Sequence, residues 1–390
     1  MDYSIYLEPF DPAGLVSGEH SAINRLGSEV YFFEKGDPPE LIRGFEIVVI
    51  GVNEDRRSYA NEGCAMAPDQ IRKFLYRLSA HKNKLNIIDL GNIRQGNQVQ
   101  DSYYALKSTL TEIYKSGALA IVLGGSQDLT YPMYLAFEAL GRIVNLVSID
   151  SRLDNSGNSD VPDAASYLSH IILRKPNFLF NYANLGYQSY FVGSTAIKLL
   201  NELYFDAHRL GTIREDLEEA EPVLRNADML SVDISAVRQS DAPGNGNPSP
   251  NGFYGEELCQ LMRYAGLTPK LSAAGFFEVN PMMDPSGQTA HLTAQMIWYF
   301  LEGYMNRSDD FPEEGNSNFI KYIVNGTGNG DDMIFFKSKS TDRWWMQLPV
   351  SKDKQEKLSR HIMVPCSYKD YQKACDHELP DRWWKAYQKL

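Results

Sequence analysis

Unbroken runs of apolar, β-branched residues recur along this chain, separated by stretches whose apolar positions repeat at helical spacing. The runs are FEIVVIGV (Phe45 to Val52), LNIIDLG (Leu85 to Gly91), ALAIVLGG (Ala118 to Gly125), IVNLVSID (Ile143 to Asp150) and DMLSVDIS (Asp228 to Ser235). A strand that is apolar on both faces needs cover on both, which is the situation inside a parallel sheet flanked by helices. Between the runs, APDQIRKFLYRLSAHK has its proline in the first helical turn, and DSYYALKSTLTEIYKSG ends on Gly117, a typical C-cap residue. Alternating strand and helix predict an α/β fold, a three-layer α/β/α domain with a mainly parallel central sheet. That alternation fills residues 44–306. Residues 1–43 are read as an N-terminal extension and 307–390, rich in aromatics and lysine, as a C-terminal extension packed on the core. The tail carries DRWW twice, at Asp342 to Trp345 and Asp381 to Trp384, with unlike flanks that argue against a repeat. The Trp pairs are read as buried anchors, with a face for a partner protein as the alternative.

With 390 residues the chain can bury a large core, and its net charge of −12 narrows the partners. Such a surface repels a phosphate backbone, so nucleic acid is excluded. The N-terminal MDYSIYLEPFDPAG has no basic segment followed by an apolar run, and no apolar stretch approaches the ~20 residues of a membrane span. No membrane association and a cytoplasmic location are expected. The four cysteines, Cys64, Cys259, Cys366 and Cys375, form no CxxC pair and are read as free thiols.

In parallel sheets the functional groups gather at the carboxyl ends of the strands. Gly124 and Gly125, Asp150 and Asp233 stand at such ends, in the segments GGSQD (Gly124 to Asp128), SIDSRLD (Ser148 to Asp154) and SVDIS (Ser231 to Ser235), followed by FFEVNP (Phe276 to Pro281). In order and spacing these segments resemble the ureohydrolase superfamily of arginase, agmatinase and formimidoylglutamase. The resemblance spans roughly Gly44 to Asn306. GVNEDRRSYANEGCAMAPDQIRKFLYRL looks like the family's opening strand, loop and helix, with Ala67, Pro68, Ile71 and Arg72 at its characteristic positions. IIDLGNI is similar to the second family strand, NGFYGEEL resembles a later helix start, and NLGYQSYF is similar to formimidoylglutamases in particular.

The resemblance implies a pair of manganese ions held by GGDHS, D-A-H-x-D and S-x-D-x-D motifs. Carried across, the six ligand positions here are Gln127, Asp150, Arg152, Asp154, Asp233 and Ser235. Only the acids Asp150, Asp154 and Asp233 are kept. A two-metal hydrolase needs both cations, ~3.5 to 4 Å apart, to share and activate a water. Gln127, Asp150, Asp154 and Asp233 are all oxygen donors that can still hold a single divalent cation, weakly. The other half, Asp150, Arg152, Asp233 and Ser235, contains a guanidinium with no lone pair to offer, and is read as degenerate. Arg152 is expected to replace the lost cation by charge-assisted hydrogen bonds to Asp150 and Asp233.

Glu278 stands where the family's acid meets the planar cationic end of the substrate; the alternative is a helix-capping or surface acid near Pro281. His170, in SYLSHII, lies near the place of a proton-shuttling histidine in arginases and agmatinases, and no catalytic residue beyond it is nominated. RQSDAPGNGNPSPNG is similar to a family loop that shapes the cleft mouth. Ser126 beside Asp128 lacks the G-x-S-x-G pattern of a nucleophile turn, GTGNG (Gly326 to Gly330) lacks a phosphate-loop ending and is read as a turn, and the remaining histidines show no ligand spacing.

Three readings remain open. The first is an inactive or impaired member of the ureohydrolase superfamily, acting as scaffold or sensor, with the two-metal site lost and at most one divalent cation. The second is an active metal-dependent hydrolase of linear amidine C–N bonds, on formimidoylglutamate or a guanidino compound. The third is a protein-binding module using the aromatic tail. A small amidine or guanidino ligand is implied by the resemblance, as is a homo-oligomer; a protein partner follows from the tail.

Overall fold

The apolar runs form strands where expected, and the computed structural model describes residues 2–13, 15, 24–155, 160–308, 310–312, 316–326, 332–350 and 359–390. Among these residues the main sheet contains β1 (Leu7–Glu8), β2 (Val30–Phe32), β3 (Ile47–Val52), β4 (Ile87–Ile93), β5 (Leu119–Leu123), β6 (Val144–Ile149), β7 (Leu179–Tyr187), β8 (Asp206–Arg209), β9 (Met229–Asp233) and β10 (Ala273–Phe277). Their order is β1-β4-β3-β5-β10-β9-β6-β7-β8, with β2 also on the outer edge of β4. All pairs are parallel except β1 with β4. The N-terminal stretch therefore supplies two strands to the sheet edge.

Helices cover both faces: α1 (Ala67–Leu75), α2 (Val99–Ser116), α3 (Thr130–Ala139), α4 (Tyr167–Ile172), α5 (Ser194–Glu202), α6 (Leu210–Glu215), α7 (Ala220–Arg225), α8 (Gly255–Gly266) and α9 (Gln288–Met305). Alternate strand residues go to opposite cores. Ile47, Val49 and Ile121 pack with Ile71 of α1, Leu261 of α8 and Ile297 of α9. Val48, Ile50 and Val122 pack with Leu106 and Leu110 of α2 and Phe137 of α3. Burial on both faces is why these strands read as continuous apolar runs. Pro68 does stand in the first turn of α1, and Gly117 caps α2 at φ 83°.

Arg72, named with its motif, and Asp89 of the IIDLGNI strand form a buried lock between α1 and β4. Arg72 Nε donates to Asp89 Oδ2 at 2.7 Å and Nη2 to Asp89 Oδ1 at 2.9 Å, with a further bond to the Gly91 carbonyl at 2.8 Å. Both side chains are inaccessible to solvent.

The tail builds a second, antiparallel sheet of β11 (Phe319–Val324), β12 (Met333–Ser338), β13 (Trp344–Gln347) and β14 (Met363–Cys366), in that order. The two DRWW segments differ in structure, one leading into β13 and the other starting the helix Asp381–Gln388. Trp344 and Trp345 are buried, and the Arg225 guanidinium of α7 lies 4.3 Å from the Trp345 ring centre; Trp384 is 40% exposed. Of GTGNG, only Gly326 falls within the described residues. No described helix is long and apolar enough to cross a membrane. All four cysteines are free.

Candidate functional site

The four motif segments sit at the carboxyl ends of β5, β6, β9 and β10, which are neighbours in the sheet order β5-β10-β9-β6. After β5 the chain turns tightly. Gly125 is required there, because a Cβ would lie 1.8 Å from the Glu54 carbonyl oxygen. After β6 and β9 the aspartates close turns on their own backbones: Arg152 N–H donates to Asp150 Oδ1 at 2.8 Å, and Ser235 N–H to Asp233 Oδ1 at 2.7 Å. Asp and Asn favour this local bond at strand ends. It occupies one carboxylate oxygen and leaves Oδ2 facing the centre of the site. Asn184 of β7 clamps the loop, donating to the Arg152 carbonyl at 2.8 Å. Asp154 adopts φ 44°, an uncommon conformation for a residue with a side chain, and enters the same centre.

Asp150, Asp154 and Asp233 place ligand atoms within 4.8 Å of one another, the one such cluster of His, Cys, Asp or Glu among the described residues. Gln127 completes it. The end of its amide that faces the acids lies 2.9 Å from Asp154 Oδ2 and 3.2 Å from both Asp233 Oδ2 and Asp150 Oδ2. Two amide orientations are chemically sensible. With the nitrogen inward, Gln127 donates to three carboxylates while its carbonyl accepts from the Tyr167 hydroxyl at 3.3 Å. With the oxygen inward, four oxygens converge, and the nitrogen reaches Tyr167 at 3.3 Å and Ser231 at 3.4 Å. A divalent cation in octahedral coordination at about 2.1 Å has ligand oxygens about 3.0 Å apart along each edge. With the Gln127 oxygen inward, its three spacings to the carboxylates match these edges, and the residues present fit one hard cation in that orientation.

Burial raises the carboxyls of Asp154 and Asp233 well above the ordinary range, and the nearby charge of Asp150 adds to this. Asp150 is raised as well, chiefly by burial. Crowded carboxylates without a compensating charge bind protons; a cation in their midst does the same work electrostatically.

The half read as degenerate does not assemble as expected. Among the described residues Arg152 forms no ion pair with Asp150 or Asp233. Its backbone N–H, not its guanidinium, meets Asp150, and the side chain turns out of the acid cluster to lie with Cζ 4.2 Å from the Phe191 ring centre. The Phe191 face offers the guanidinium a partner there. Ser235 is buried, with its hydroxyl 3.4 Å from that of Ser151.

Glu278 is not a surface or capping acid. Asn280 caps the turn at Pro281, accepting from Met282 N–H at 3.0 Å, and Glu278 is 5% exposed at the end of β10. Gln127 N–H donates to its Oε1 at 2.7 Å and Asn61 Nδ2 to its Oε2 at 2.6 Å. Burial pushes the Glu278 carboxyl up to about 7 against these two hydrogen bonds. Its φ of 66° is a second uncommon backbone conformation at the site.

Gln127, Asp154, Asp233, Ser235, Glu278 and Arg152 all line one cavity of about 290 Å³, large enough for a small organic ligand; Asp150 lies behind its wall. Asn247, from the expected mouth loop, lines it too, and donates to the Tyr59 carbonyl at 2.8 Å. His170 does not line it; its ring packs edge-on to Tyr131 at 6.1 Å. Ser126 is fully buried and bonds to Asp128, which also accepts from Tyr103, away from the cleft. Asn61, Tyr167 and Asn184 support the site and are not evident from residue type alone. Only contact with the strand ends gives them a role, although Asn184 falls in the quoted NLGYQSYF.

An arginase family model matches residues 45–302. A formimidoylglutamase of Corynebacterium efficiens is 25% identical over 280 residues, covering 69% of this chain and 88% of the relative, and that of Geobacillus kaustophilus is 27% identical over 287 residues with the same coverage. The formiminoglutamase of Trypanosoma cruzi solved with manganese superposes with a TM-score of 0.65 at 21% identity, covering 73% of this chain and all of that one. The formimidoylglutamase of Bacillus subtilis gives 0.67 at 20%, covering 76% and 97%.

Proposed function

The chain belongs to the arginase family, and from that premise we propose that it binds a small amidine or guanidino compound beside one divalent cation, with C–N bond hydrolysis lost or strongly slowed. One observation carries this reading: the carboxylates of Asp150, Asp154 and Asp233 converge with the Gln127 amide on one point, while the Arg152 guanidinium lies over the Phe191 ring and pairs with none of them among the described residues. Manganese is the natural candidate, since the solved relative from Trypanosoma cruzi holds it. A single cation at these oxygens supplies charge that polarises a ligand nitrogen or a water, and lacks the second ion that shares and activates a bridging hydroxide in a two-metal site. The rest falls to the protein. Asp154 and Asp233 open on the cavity, and Glu278 presents a carboxylate to a planar cation, held in place by Asn61 and the Gln127 backbone.

A second reading, an active hydrolase of linear amidine C–N bonds, is favoured by one specific feature. Glu278 titrates near 7 beside the acid cluster, which is where a general acid or base is most effective at neutral pH. Purified protein supplied with Mn²⁺ and assayed for ammonia, formamide and urea on formimidoylglutamate, agmatine and arginine separates the two. No release above the uncatalysed rate, with saturable ligand binding, supports the first. Turnover that requires Mn²⁺ and disappears in Asp154→Ala establishes the second. Four free thiols and the acidic charge suit a cytoplasmic protein, and a homo-oligomer is carried over as part of this proposal.

A further inference from the structure

The cavity is polarised from floor to rim. Of its acids Asp233 and Glu278 are buried and Asp154 half-buried, while Arg152 and Phe191 are half-buried and Gly193 is exposed. Arg152 is the single basic residue among those lining it. Its Nε is buried and finds no hydrogen-bond partner among the described residues. The guanidinium lies over the face of the Phe191 ring, with Cζ 4.2 Å from its centre. A cation held over a ring face is positioned by the ring while its N–H groups remain able to meet an acceptor. Phe191 leads directly into Gly193, the N-cap of α5. That N-cap has no side-chain hydrogen bond, and the space around its Cα is open, with nothing within 4 Å of where a Cβ would stand. The uncapped end of a helix carries partial positive charge and free N–H groups, which adds to the field of Arg152 on the same side.

We propose that Arg152, stacked on Phe191 beside the start of α5, is a carboxylate-binding subsite, so that the cavity takes a ligand with a planar cationic group at one end and a carboxylate at the other. This rests on the amidine-binding reading for the floor and specifies the far end of the ligand. A diamine-like ligand, cationic at both ends, places its second charge against the guanidinium and is repelled. Arg152 is thus a specificity-determining residue at a position where the family resemblance implies a metal ligand.

Two commercially available probes differ in this one respect. 4-Guanidinobutyrate and agmatine share a guanidinium on a short aliphatic chain and end in a carboxylate and an ammonium respectively. Titration calorimetry at low salt should show 4-guanidinobutyrate binding about tenfold or more tighter than agmatine, as expected for a charge-assisted hydrogen bond to a carboxylate. The preference should vanish in Arg152→Gln, with circular dichroism unchanged, and be partly kept in Arg152→Lys. Equal binding of the two probes, or a preference that survives Arg152→Gln, overturns the subsite. Should neither guanidine bind, the floor reading fails by itself, and butyrate decides the rim: Arg152-dependent saturation-transfer signals from butyrate uphold the subsite, and their absence overturns it.

Discussion

Gln127 determines what the acid cluster can hold, because its amide is the one ligand position that can present either an acceptor or a donor to three carboxylates at 2.9 to 3.2 Å. In the proposed site Arg152 and Ser235 set what the cluster does not hold. Neither supplies an anionic or imidazole donor, which on the proposed reading leaves a second ion with too few ligands. Restoring donors at both positions should restore that ion: Arg152→His with Ser235→Asp is expected to raise Mn²⁺ binding from one equivalent to two by elemental analysis, and a double variant that still binds one contradicts this account of the loss. Residue types at the strand ends were enough to pick out Gln127, Asp150, Asp154 and Asp233, which the fold brings together. The orientation of Arg152 was not legible. It depends on Phe191, thirty-nine positions away. The importance of Asn61 was hidden for a similar reason, as its partner Glu278 lies far along the chain.

Strands β3, β4, β5, β6 and β9 could be read directly because they are apolar on both faces, and burial confirms that every residue of each is buried. The short edge strands β1, β2 and β8 left no such pattern, since an edge is half exposed and short. Between elements, the Arg72–Asp89 pair shows how a family motif can be structural. Removing one partner leaves a buried, unpaired charge, so Arg72→Ala should cost about 3–5 kcal/mol in urea unfolding. Arg72→Lys, which keeps the charge without the bidentate fork, should still lose a measurable part of it. An Arg72→Ala protein as stable as wild type would mean that the lock between α1 and β4 contributes nothing.

Across the whole molecule, the site is bound into stability through its protons. The Glu278 carboxyl titrates near 7 in the fold against an ordinary value of 4.5, so between these pH values the folded state binds more protons than the unfolded chain. Stability from this group therefore falls as pH rises through that window. His81 and His208, whose charged forms burial disfavours, act in the opposite sense, so the comparison must be with Glu278→Gln, which retains both. The thermal stability of wild type relative to that variant should decline from about pH 4.5 to about pH 7 without metal, and stabilisation by Mn²⁺ should grow over the same range. A flat difference would show that Glu278 titrates ordinarily. The tail contributes by contact with the main domain. Arg225 of α7 donates to the Trp344 and Cys366 carbonyls at 3.1 and 3.2 Å, and Arg382 pairs with Glu219 at 3.0 Å. Deleting residues 307–390 should lower the melting temperature of the remaining domain and expose Arg225; an unchanged melting temperature would leave partner binding as the tail's role. The central claim, one intact cation site beside one that is lost, is tested most directly by counting bound manganese. Calorimetric titration of metal-free protein with MnCl₂ should give one equivalent in wild type and none in Asp154→Ala, whereas two equivalents, or none in wild type, would contradict the account.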